Sequence, residues 1–370
     1  MELKRIAAAL VVAALFIPTA SANASVPPAL SAASAVLVDG ESGRILFEKN
    51  AHEERSIASI TKLMTALVAV ERSASLDQEV TVRPEWTGIE GSSIYLRAGE
   101  TVTLETLLYG LLLNSGNDAA VALAEACAGD VETFVEWMNV RADELGMEHT
   151  HFMNPNGLSE DGHYSTAYDM ALAACACSQD ETLRKITATK SITMGSRTFT
   201  NHNKLLWRYD GCFGMKTGYT ELSGRTLVSG AQRDGQMLIA VTLNAPNDWS
   251  DHAALLDYGF AIFPERILCT GGSVVAHAFV QGGLVPFVGV ETAHEVCYPL
   301  AENERVEAKI TFSERIEAPV KLGTILGKIS FYVGNRPVGE TSLIAAANVN
   351  RDVVEPKKMF ERVCDRFRRT

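Results

Sequence analysis

Two kinds of hydrophobic pattern divide the first part of this chain into strands at its ends and helices in its centre. Residues 35–47 carry two short apolar runs on either side of Asp39-Gly40-Glu41-Ser42-Gly43, which predicts a β-hairpin. From Ser59 onward, apolar residues recur at the spacing of one helical face, at positions 60, 63, 64, 67 and 68. Further helices are predicted over residues 104–113, 118–128 and 132–145.

The pattern returns to strands after Lys204. Turn residues such as Asp234-Gly235 separate the apolar runs. Strands are predicted over residues 214–220, 225–233 and 237–243, and a helix over 251–260. Because strands lie at both ends of the segment and helices lie between them, we expect an α/β (α+β) domain whose sheet joins the two ends.

A different pattern begins after Pro264. Hydrophobic and polar residues alternate from Val306 to Ser313 and again from Ile329 to Val333. Such alternation is typical of strands that have one buried face. The sequence therefore predicts two domains, an α/β domain at residues 25–263 and a small all-β sandwich at residues 264–354.

The beginning of the chain has the features of a secretory signal peptide. Lys4 and Arg5 precede an apolar run over residues 6–17, and Ala22-Asn23-Ala24 matches a cleavage site. A transmembrane anchor is the alternative, but a span needs about 20 apolar residues and this run is shorter. We therefore expect residues 1–24 to be removed and the protein to be exported.

The last residues, 355–370, predict a cationic amphipathic helix. Met359, Phe360, Val363 and Phe367 share one face of such a helix, and six Lys and Arg residues outnumber the acidic ones. A helix of this kind suits an anionic membrane surface. A terminal helix that docks on its own domain is the alternative, and the sequence leaves both open.

Composition narrows the possible functions. Hydrophobic residues make up 47% of the chain and charged residues 21%, as in ordinary globular proteins. The formal net charge of −12 argues against nucleic acid as a partner, because phosphate binding requires a basic surface. The seven cysteines are an odd number, and we assign no disulfide. Since Cys-x-x-Cys and His-Glu-x-x-His motifs are missing from the sequence, we expect no metal site and no other cofactor.

Three short motifs carry the candidate chemistry: Ser59-Ile60-Thr61-Lys62, Ser115-Gly116-Asn117 and Lys216-Thr217-Gly218. Each motif alone is weak evidence. Ser59 by itself could be a helix N-cap, and residues 115–117 could be a simple turn. In this order, the three motifs together predict a serine enzyme in which a lysine activates the nucleophile.

Ser59 is the predicted nucleophile and Lys62 its base. The two residues are three positions apart, so on a helix their side chains lie on neighbouring turns of one face. A lysine accepts a proton only when its amine is uncharged, which requires a pKa well below about 10.4. Burial and a nearby second cation lower a lysine pKa, and Lys216 is the candidate cation.

The other motif residues are predicted to bind substrate and move protons. Ser115 is the candidate to relay a proton to the leaving amine. The Asn117 amide is the candidate to hold the substrate backbone. Lys216 and Thr217 offer a charge and a hydroxyl to a free carboxylate.

The strand that contains Lys216 is expected to form the edge of the site. Gly218 lacks a side chain, which lets an extended substrate approach the backbone closely. The backbone N–H groups of Ser59 and Tyr219 are the predicted donors to the oxyanion that develops at the attacked carbonyl. Together these roles imply a substrate with an acyl–amide bond next to a terminal carboxylate.

Further segments strengthen the interpretation of the three motifs. They are Ser92–Leu96, Phe134–Asn139, Leu145–Met147, Asn154–Leu158 and His163–Thr166. With these segments, nearly the whole mature chain resembles the low-molecular-weight penicillin-binding proteins, the serine D-alanyl-D-alanine carboxypeptidases.

The resemblance implies a penicillin-binding transpeptidase/β-lactamase-like catalytic domain followed by a β domain. It implies removal of the terminal D-Ala from peptidoglycan stem pentapeptides through an acyl-enzyme on Ser59. It also implies covalent inhibition by β-lactam antibiotics, which mimic the D-Ala-D-Ala end. The expected location is bacterial and outside the cytoplasm, at the outer face of the membrane, in the periplasm or in the cell wall.

The chain departs from the family where the terminal carboxylate is held. In several relatives an arginine near the segment that corresponds to residues 201–207, and another after the third strand, help to hold it. Here those neighbourhoods carry His202, Lys204 and Trp249. We expect His202 and Lys204 to be polar surface near the cleft.

Two other functions are kept as alternatives. A β-lactamase-like hydrolase of class A uses a glutamate in an E-x-x-x-N loop to activate the deacylating water. Here Glu136-Trp137-Met138-Asn139 is one residue too short and lies in a predicted helix. A catalytically silent cell-wall binding protein is the second alternative, and the complete set of motif residues argues against it.

Overall fold

A computed structural model describes residues 26–352, together with the backbone of a three-residue strand, Val12–Ala14 (β1). The predicted cleavage site and the predicted tail helix at 355–370 lie outside the described residues. The chain divides into two compact units, and the change falls between Pro264 and Glu265.

The first unit contains a five-stranded antiparallel sheet that is built from both ends of the segment. Its strands are β2 (Ser34–Asp39), β3 (Ile45–Lys49), β8 (Cys212–Thr220), β9 (Gly224–Arg233) and β10 (Gln236–Leu243), in the order β3-β2-β10-β9-β8. The predicted α/β arrangement is therefore confirmed, because β2 from the start of the segment pairs with β10 from its end.

Helices fill the chain between β3 and β8, and one more follows β10. They are α1 (Lys62–Arg72), α2 (Leu104–Leu113), α3 (Asn117–Ala128), α4 (Val131–Glu144), α5 (Ala167–Gln179), α6 (Glu181–Ala188), α7 (Leu205–Arg208) and α8 (Asp248–Ile262). Two small hairpins lie among them, β4 (Glu79–Thr81) with β5 (Thr101–Thr103) and β6 (Ser191–Met194) with β7 (Arg197–Thr200). Residues Ala58–Thr61 and Pro84–Trp86 form 3-10 turns.

The sheet is buried on both faces, because successive residues of a strand point to opposite sides. Val36 and Ile239 belong to the large core that includes residues of α1 to α6. Leu37 and Leu238 point the other way and pack with Leu255 of α8. This three-layer arrangement explains why the strands read as nearly continuous apolar runs rather than as alternating ones.

The second unit is all β, as the alternating pattern predicted. Its strands are β11 (Glu265–Cys269), β12 (Val274–Phe279), β13 (Phe287–Thr292), β14 (Val296–Pro299), β15 (Val306–Phe312), β16 (Ile325–Val333) and β17 (Arg336–Ala345). The larger sheet has the order β1-β15-β16-β17-β13-β12, and β11 pairs with β14. Leu268, Tyr298, Phe331 and Leu343, drawn from both sheets, share one core.

Within the described residues, none of the helices is both long and apolar enough to pass through a lipid bilayer.

Candidate active site

Ser59 lies in the 3-10 turn that precedes α1, and α1 itself begins at Lys62. The sequence had indicated a helix starting near Ser59, so the predicted nucleophile lies one short turn before the first α-helical turn. Ala58 has a φ of +50°, a left-handed conformation that is uncommon for a residue other than glycine. The Thr61 hydroxyl donates to Ala58 O at 2.8 Å, which helps to hold this turn.

A buried histidine supports the same turn from behind. Met153 N donates to His163 Nδ1 at 3.1 Å, so the ring proton lies on Nε2, which is 2.9 Å from Thr61 Oγ1. Burial lowers the pKa of His163 to about 4, and the ring is therefore neutral at neutral pH. A Cβ at Gly157 would collide with Ala58 O, so the loop after Asn156 approaches the turn more closely than any larger residue allows.

The Lys62 side chain is fully buried and its amine lies beside the Ser59 hydroxyl. Lys62 Nζ lies 2.9 Å from Ser59 Oγ and 2.7 Å from Asn117 Oδ1, and it also contacts the backbone oxygen of Asn156. A neutral amine has two N–H groups and one lone pair. Because two carbonyl oxygens accept hydrogen bonds from these N–H groups, the lone pair is available to accept a hydrogen bond from the Ser59 hydroxyl.

The surroundings of Lys62 favour that neutral form. Burial is the main cause that holds the pKa of Lys62 well below its ordinary value, and the charge of Lys216 lowers it further. Asp118 acts in the opposite direction. Asp118 is itself occupied, because its carboxylate accepts from the backbone N–H groups of Ile94 and Leu96.

Asn117 makes two hydrogen bonds within the protein. Its Oδ1 accepts from Lys62, and its Nδ2 donates to Glu90 O at 2.6 Å. The side chain is buried, and its contact with Lys62 helps to orient that amine. Contact of Asn117 with the substrate backbone stays a prediction. The contact with Lys62 had no signal in the sequence, because it depends on the folded arrangement of α1 and α3.

Ser115 lies in the short connection between α2 and α3 and has a φ of +61°. It lines the same cleft as Ser59, as the predicted proton relay requires. The next residue must be glycine, because a Cβ at Gly116 would lie 2.9 Å from both Asp118 Oδ1 and Ile94 Cγ2. The Ser115-Gly116-Asn117 motif is therefore more than a simple turn.

Lys216 lies on β8 and is also buried. Its Nζ donates to Thr217 O at 2.7 Å, and burial lowers the pKa of Lys216 to about 7. The side chain lies behind the cleft surface, where its charge acts on Lys62. Thr217, by contrast, lines the cleft itself.

Gly218 is required by packing within the protein, a reason that the sequence did not indicate. A Cβ at this position would collide with Thr226 Oγ1 and lie 2.9 Å from Ser59 N. The absent side chain therefore lets β8 lie against the turn that contains Ser59, and the close approach of a substrate to this strand stays a prediction. Tyr219 follows at the cleft edge and is 65% exposed.

The open cleft beside Ser59 contains residues that the sequence interpretation missed. It is lined by Ser59, Ser92, Ser115, His202, Lys204, Thr217, Gly218, Tyr219, Arg225, Asp248 and Trp249. His202 and Lys204 belong to this lining, which agrees with the expectation that they are polar residues at the cleft. Burial and the charge of Lys216 lower the pKa of His202.

Arg225 and Asp248 were not predicted as site residues. Arg225 is paired with Tyr219 in the register of β8 and β9, so its proximity to the site could have been found from the hairpin 214–233. Asp248, the first residue of α8, has no comparable signal, because only the folded domain brings α8 to this edge of the sheet. In the described part of the chain, no cluster of three or more His, Cys, Asp or Glu residues is placed to hold a metal ion.

Comparisons with known proteins agree with this geometry. The family described as D-alanyl-D-alanine carboxypeptidase matches residues 21–247, and the family described as penicillin-binding protein 5, C-terminal domain, matches residues 267–351. The chain is similar to D-alanyl-D-alanine carboxypeptidase DacF of Bacillus subtilis, at 32% identity over 86% of this chain and 86% of that protein. It is 33% identical to D-alanyl-D-alanine carboxypeptidase DacC of Escherichia coli over 95% of this chain and 92% of that protein.

Solved structures give the same result. Penicillin-binding protein 5 from Haemophilus influenzae superposes with a TM-score of 0.73 at 30% identity, over 88% of this chain and all of that chain. A peptidoglycan synthesis regulatory factor, PBP3, from Streptococcus pneumoniae superposes with a TM-score of 0.78 at 26% identity, over 87% of this chain and all of that chain. On the family match, the relatives and the arrangement around Ser59, this chain belongs to the serine D-alanyl-D-alanine carboxypeptidases, the low-molecular-weight penicillin-binding proteins.

Proposed function

We propose that this enzyme removes the terminal D-Ala from peptidoglycan stem pentapeptides through an acyl-enzyme on Ser59. The observation that carries the proposal is the buried amine of Lys62, 2.9 Å from Ser59 Oγ, with its N–H groups directed to two carbonyl oxygens. A nucleophile within hydrogen-bond reach of a base, which a third group orients, is the arrangement that covalent catalysis requires.

In the first step, Lys62 accepts the proton of the Ser59 hydroxyl as Oγ attacks the carbonyl carbon of the penultimate D-Ala. The carbonyl oxygen gains negative charge, and the backbone N–H groups of Ser59 and Tyr219 are the proposed donors to it. The close approach of β8 to the Ser59 turn at Gly218 supports this pairing of donors.

In the second step, the bond to the terminal D-Ala breaks. The leaving amine must receive a proton, and Ser115, which lines the cleft with Ser59, is the proposed relay from Lys62. Water then attacks the ester on Ser59, and Lys62 accepts a proton from that water. The bond between the acyl carbon and Ser59 Oγ breaks, Lys62 returns the proton to Oγ, and the shortened peptide leaves with a new carboxylate. The Thr217 hydroxyl, which lines the cleft, is the proposed donor to the terminal carboxylate of the substrate.

The same cleft is proposed to accept β-lactam antibiotics as covalent inhibitors. We expect the adduct to be released slowly, since the glutamate-containing loop of class A β-lactamases is absent. The structure supports this point at Asn139 of α4, whose carboxamide exchanges hydrogen bonds with the backbone of Phe152 at 2.9 and 2.8 Å. The segment Glu136–Asn139 is therefore part of a packed helix.

Mass spectrometry of the pure protein with a D-Ala-D-Ala peptide tests the proposal. We expect free D-Ala to be released by the wild type and not by the Ser59→Ala variant. Rapid turnover of penicillin would instead favour the β-lactamase-like alternative. A wild type that releases no D-Ala and takes up no penicillin would favour the silent binding protein.

We also propose that the enzyme acts outside the cytoplasm and touches the membrane through residues 355–370. The support is the signal-like sequence at residues 1–24 and the basic, amphipathic pattern of the tail. Flotation with anionic vesicles, before and after deletion of 355–370, tests the membrane contact. Equal binding of both forms would contradict it.

A further inference from the structure

We propose that Arg225, held in place by Asp248, binds the terminal carboxylate of the acyl donor and so sets the preference of this enzyme for a free carboxyl end. This inference rests on the proposed function, since it concerns the same cleft. It adds the residue that recognises the leaving part of the substrate, which the motif residues alone do not identify.

The position of Arg225 in the sheet places it beside the cleft residues of β8. Arg225 is the second residue of β9 and pairs with Tyr219 of β8, the residue after Gly218, which lies against Ser59 N. Tyr219 and Thr217 both line the cleft, and so does Arg225. In the proposed binding mode the acyl donor runs along β8 with its carbonyl at Ser59 and its leaving group toward this guanidinium.

The guanidinium is fixed before any substrate binds. Arg225 Nε donates to Asp248 Oδ2 at 3.0 Å, and Nη2 of the same side chain lies 2.9 Å from that oxygen. The indole ring of Trp249 lies 5.7 Å from the guanidinium carbon. Because Asp248 is 3% exposed while Arg225 is 42% exposed, the buried carboxylate positions one side of the guanidinium and leaves the other side accessible.

The donors that remain on Arg225 suit a carboxylate. A guanidinium carries five N–H groups in a planar fork, and the contacts with Asp248 use two of them. The remaining donors can bind a second carboxylate in the bidentate manner that arginine favours. A group that is already oriented loses less conformational entropy when the substrate binds.

The other basic residues of the cleft are less suited to this role. Lys204 supplies a single charge on a flexible chain, without the planar fork of an arginine. The pKa of His202 is lowered by burial and by Lys216, so at neutral pH this ring is uncharged. Lys216 lies behind the surface and donates to Thr217 O. Arg225 is therefore the best-matched group for a carboxylate among the basic residues that line the cleft or support it.

Two matched acyl donors test the assignment. Both are N-acyl-D-alanine thioesters, one with a thioglycolate leaving group and one with the methyl ester of thioglycolate, so that they differ only in the free carboxylate. The readout is the ratio of kcat/KM for the two donors. A merely structural change lowers both values and leaves the ratio unaltered.

We expect the wild type to have the higher kcat/KM for the carboxylate donor. Arg225→Gln should lower the ratio of the two kcat/KM values by roughly tenfold or more, since a hydrogen bond to a charged group contributes about 1.5–3 kcal/mol. Arg225→Lys should restore only part of the ratio, because it keeps the charge without the fork. Lys204→Gln is the matched control and should change the ratio less. A ratio that is unchanged in Arg225→Gln, or that Lys204→Gln lowers as much, overturns the assignment.

The same data separate this inference from the proposed function. A wild type that is acylated by both donors, with a ratio independent of Arg225, removes only the role of Arg225. A wild type that is acylated by neither donor and releases no D-Ala overturns the function and, with it, the carboxylate site.

Discussion

Two neighbouring regions of the candidate active site are built in different ways. The base pocket, named after the proposed base and formed by Lys62, Asn117, Asn156 and Lys216, is buried, and the side chains of Lys62, Asn117 and Lys216 hydrogen-bond to other groups of the protein. The cleft edge, formed by Thr217, Tyr219, Arg225, Asp248 and Trp249, opens to solvent and keeps donors free for a ligand.

The difference follows from what each region must do. A lysine becomes a base only when burial and a neighbouring charge make its ammonium form unfavourable, so the base pocket excludes water. Recognition of a carboxylate requires hydrogen-bond donors from which the substrate can displace water, so the cleft edge stays accessible to solvent. Changes in the base pocket should therefore stop the chemistry, whereas changes at the edge should alter which donor is preferred.

The largest expected effect comes from removal of the base. Lys62→Met keeps the apolar stem but has no lone pair for the Ser59 proton. We expect the rate of acylation by benzylpenicillin to fall by roughly 10²–10⁴-fold, the usual contribution of a general base. Lys62→Arg should also be inactive, because a guanidinium stays protonated. Thermal unfolding serves as the folding control, and acylation at the wild-type rate in either folded variant would remove Lys62 as the base.

The next largest effect should come from Gly218, where β8 lies against the turn that contains Ser59. Gly218→Ala places a methyl group against Thr226 Oγ1 and 2.9 Å from Ser59 N, which pushes β8 away from the nucleophile. A displacement of about 1 Å can cost about a hundredfold in rate. The acylation rate measures the loss, and Gly271→Ala is the comparison variant, because Gly271 has no left-handed φ and an added Cβ there would lie no closer than 3.5 Å to its neighbours. An equal effect of the two substitutions would contradict the packing argument.

A smaller effect is expected on the pH dependence of the acylation rate. The charge of Lys216 lowers the pKa of Lys62, so its removal in Lys216→Gln should raise that pKa. Acylation needs the unprotonated amine, and the acid limb of its pH–rate profile should therefore move to higher pH in the variant. A limb that stays in place, or moves to lower pH, would show that Lys216 does not act on Lys62 in this way.

The smallest effect is expected at the cleft edge from Asp248→Asn. The amide oxygen can still accept from Arg225, but the negative charge that competes with a substrate carboxylate is gone. Partly exposed ion pairs contribute about 0.2–1 kcal/mol, so the preference for the carboxylate thioester should rise by up to roughly fivefold. The ratio of kcat/KM for the two thioesters measures it, and a fall in that ratio would mean that Asp248 contributes to binding by more than positioning.

The sequence predicted the parts of the site that depend on local order. The helix and strand patterns placed Ser59 at the start of a helix, Ser115 between two helices and Lys216 in a strand, and the structure brings them to one cleft or directly behind it. The spacing of Ser59 and Lys62 also predicted their contact, since one helical turn separates them.

What the sequence could not show depends on contacts between distant backbone groups. The backbone oxygens of Asn156, which accepts from Lys62, and of Glu90, which accepts from Asn117, carry no side-chain signal in the sequence. The need for Gly218 becomes visible only when Thr226 and Ser59 lie against it. Similarly, Arg225 gains its orientation from Asp248, twenty-three positions later in the chain.

The most direct test is the pH dependence of wild-type acylation by benzylpenicillin, followed by intact mass. If Lys62 is a neutral base, a penicilloyl adduct forms on Ser59 and its rate rises with a midpoint well below 10.5, the ordinary pKa of a lysine. An unchanged mass, or a rate whose midpoint stays at that ordinary value, would contradict the account.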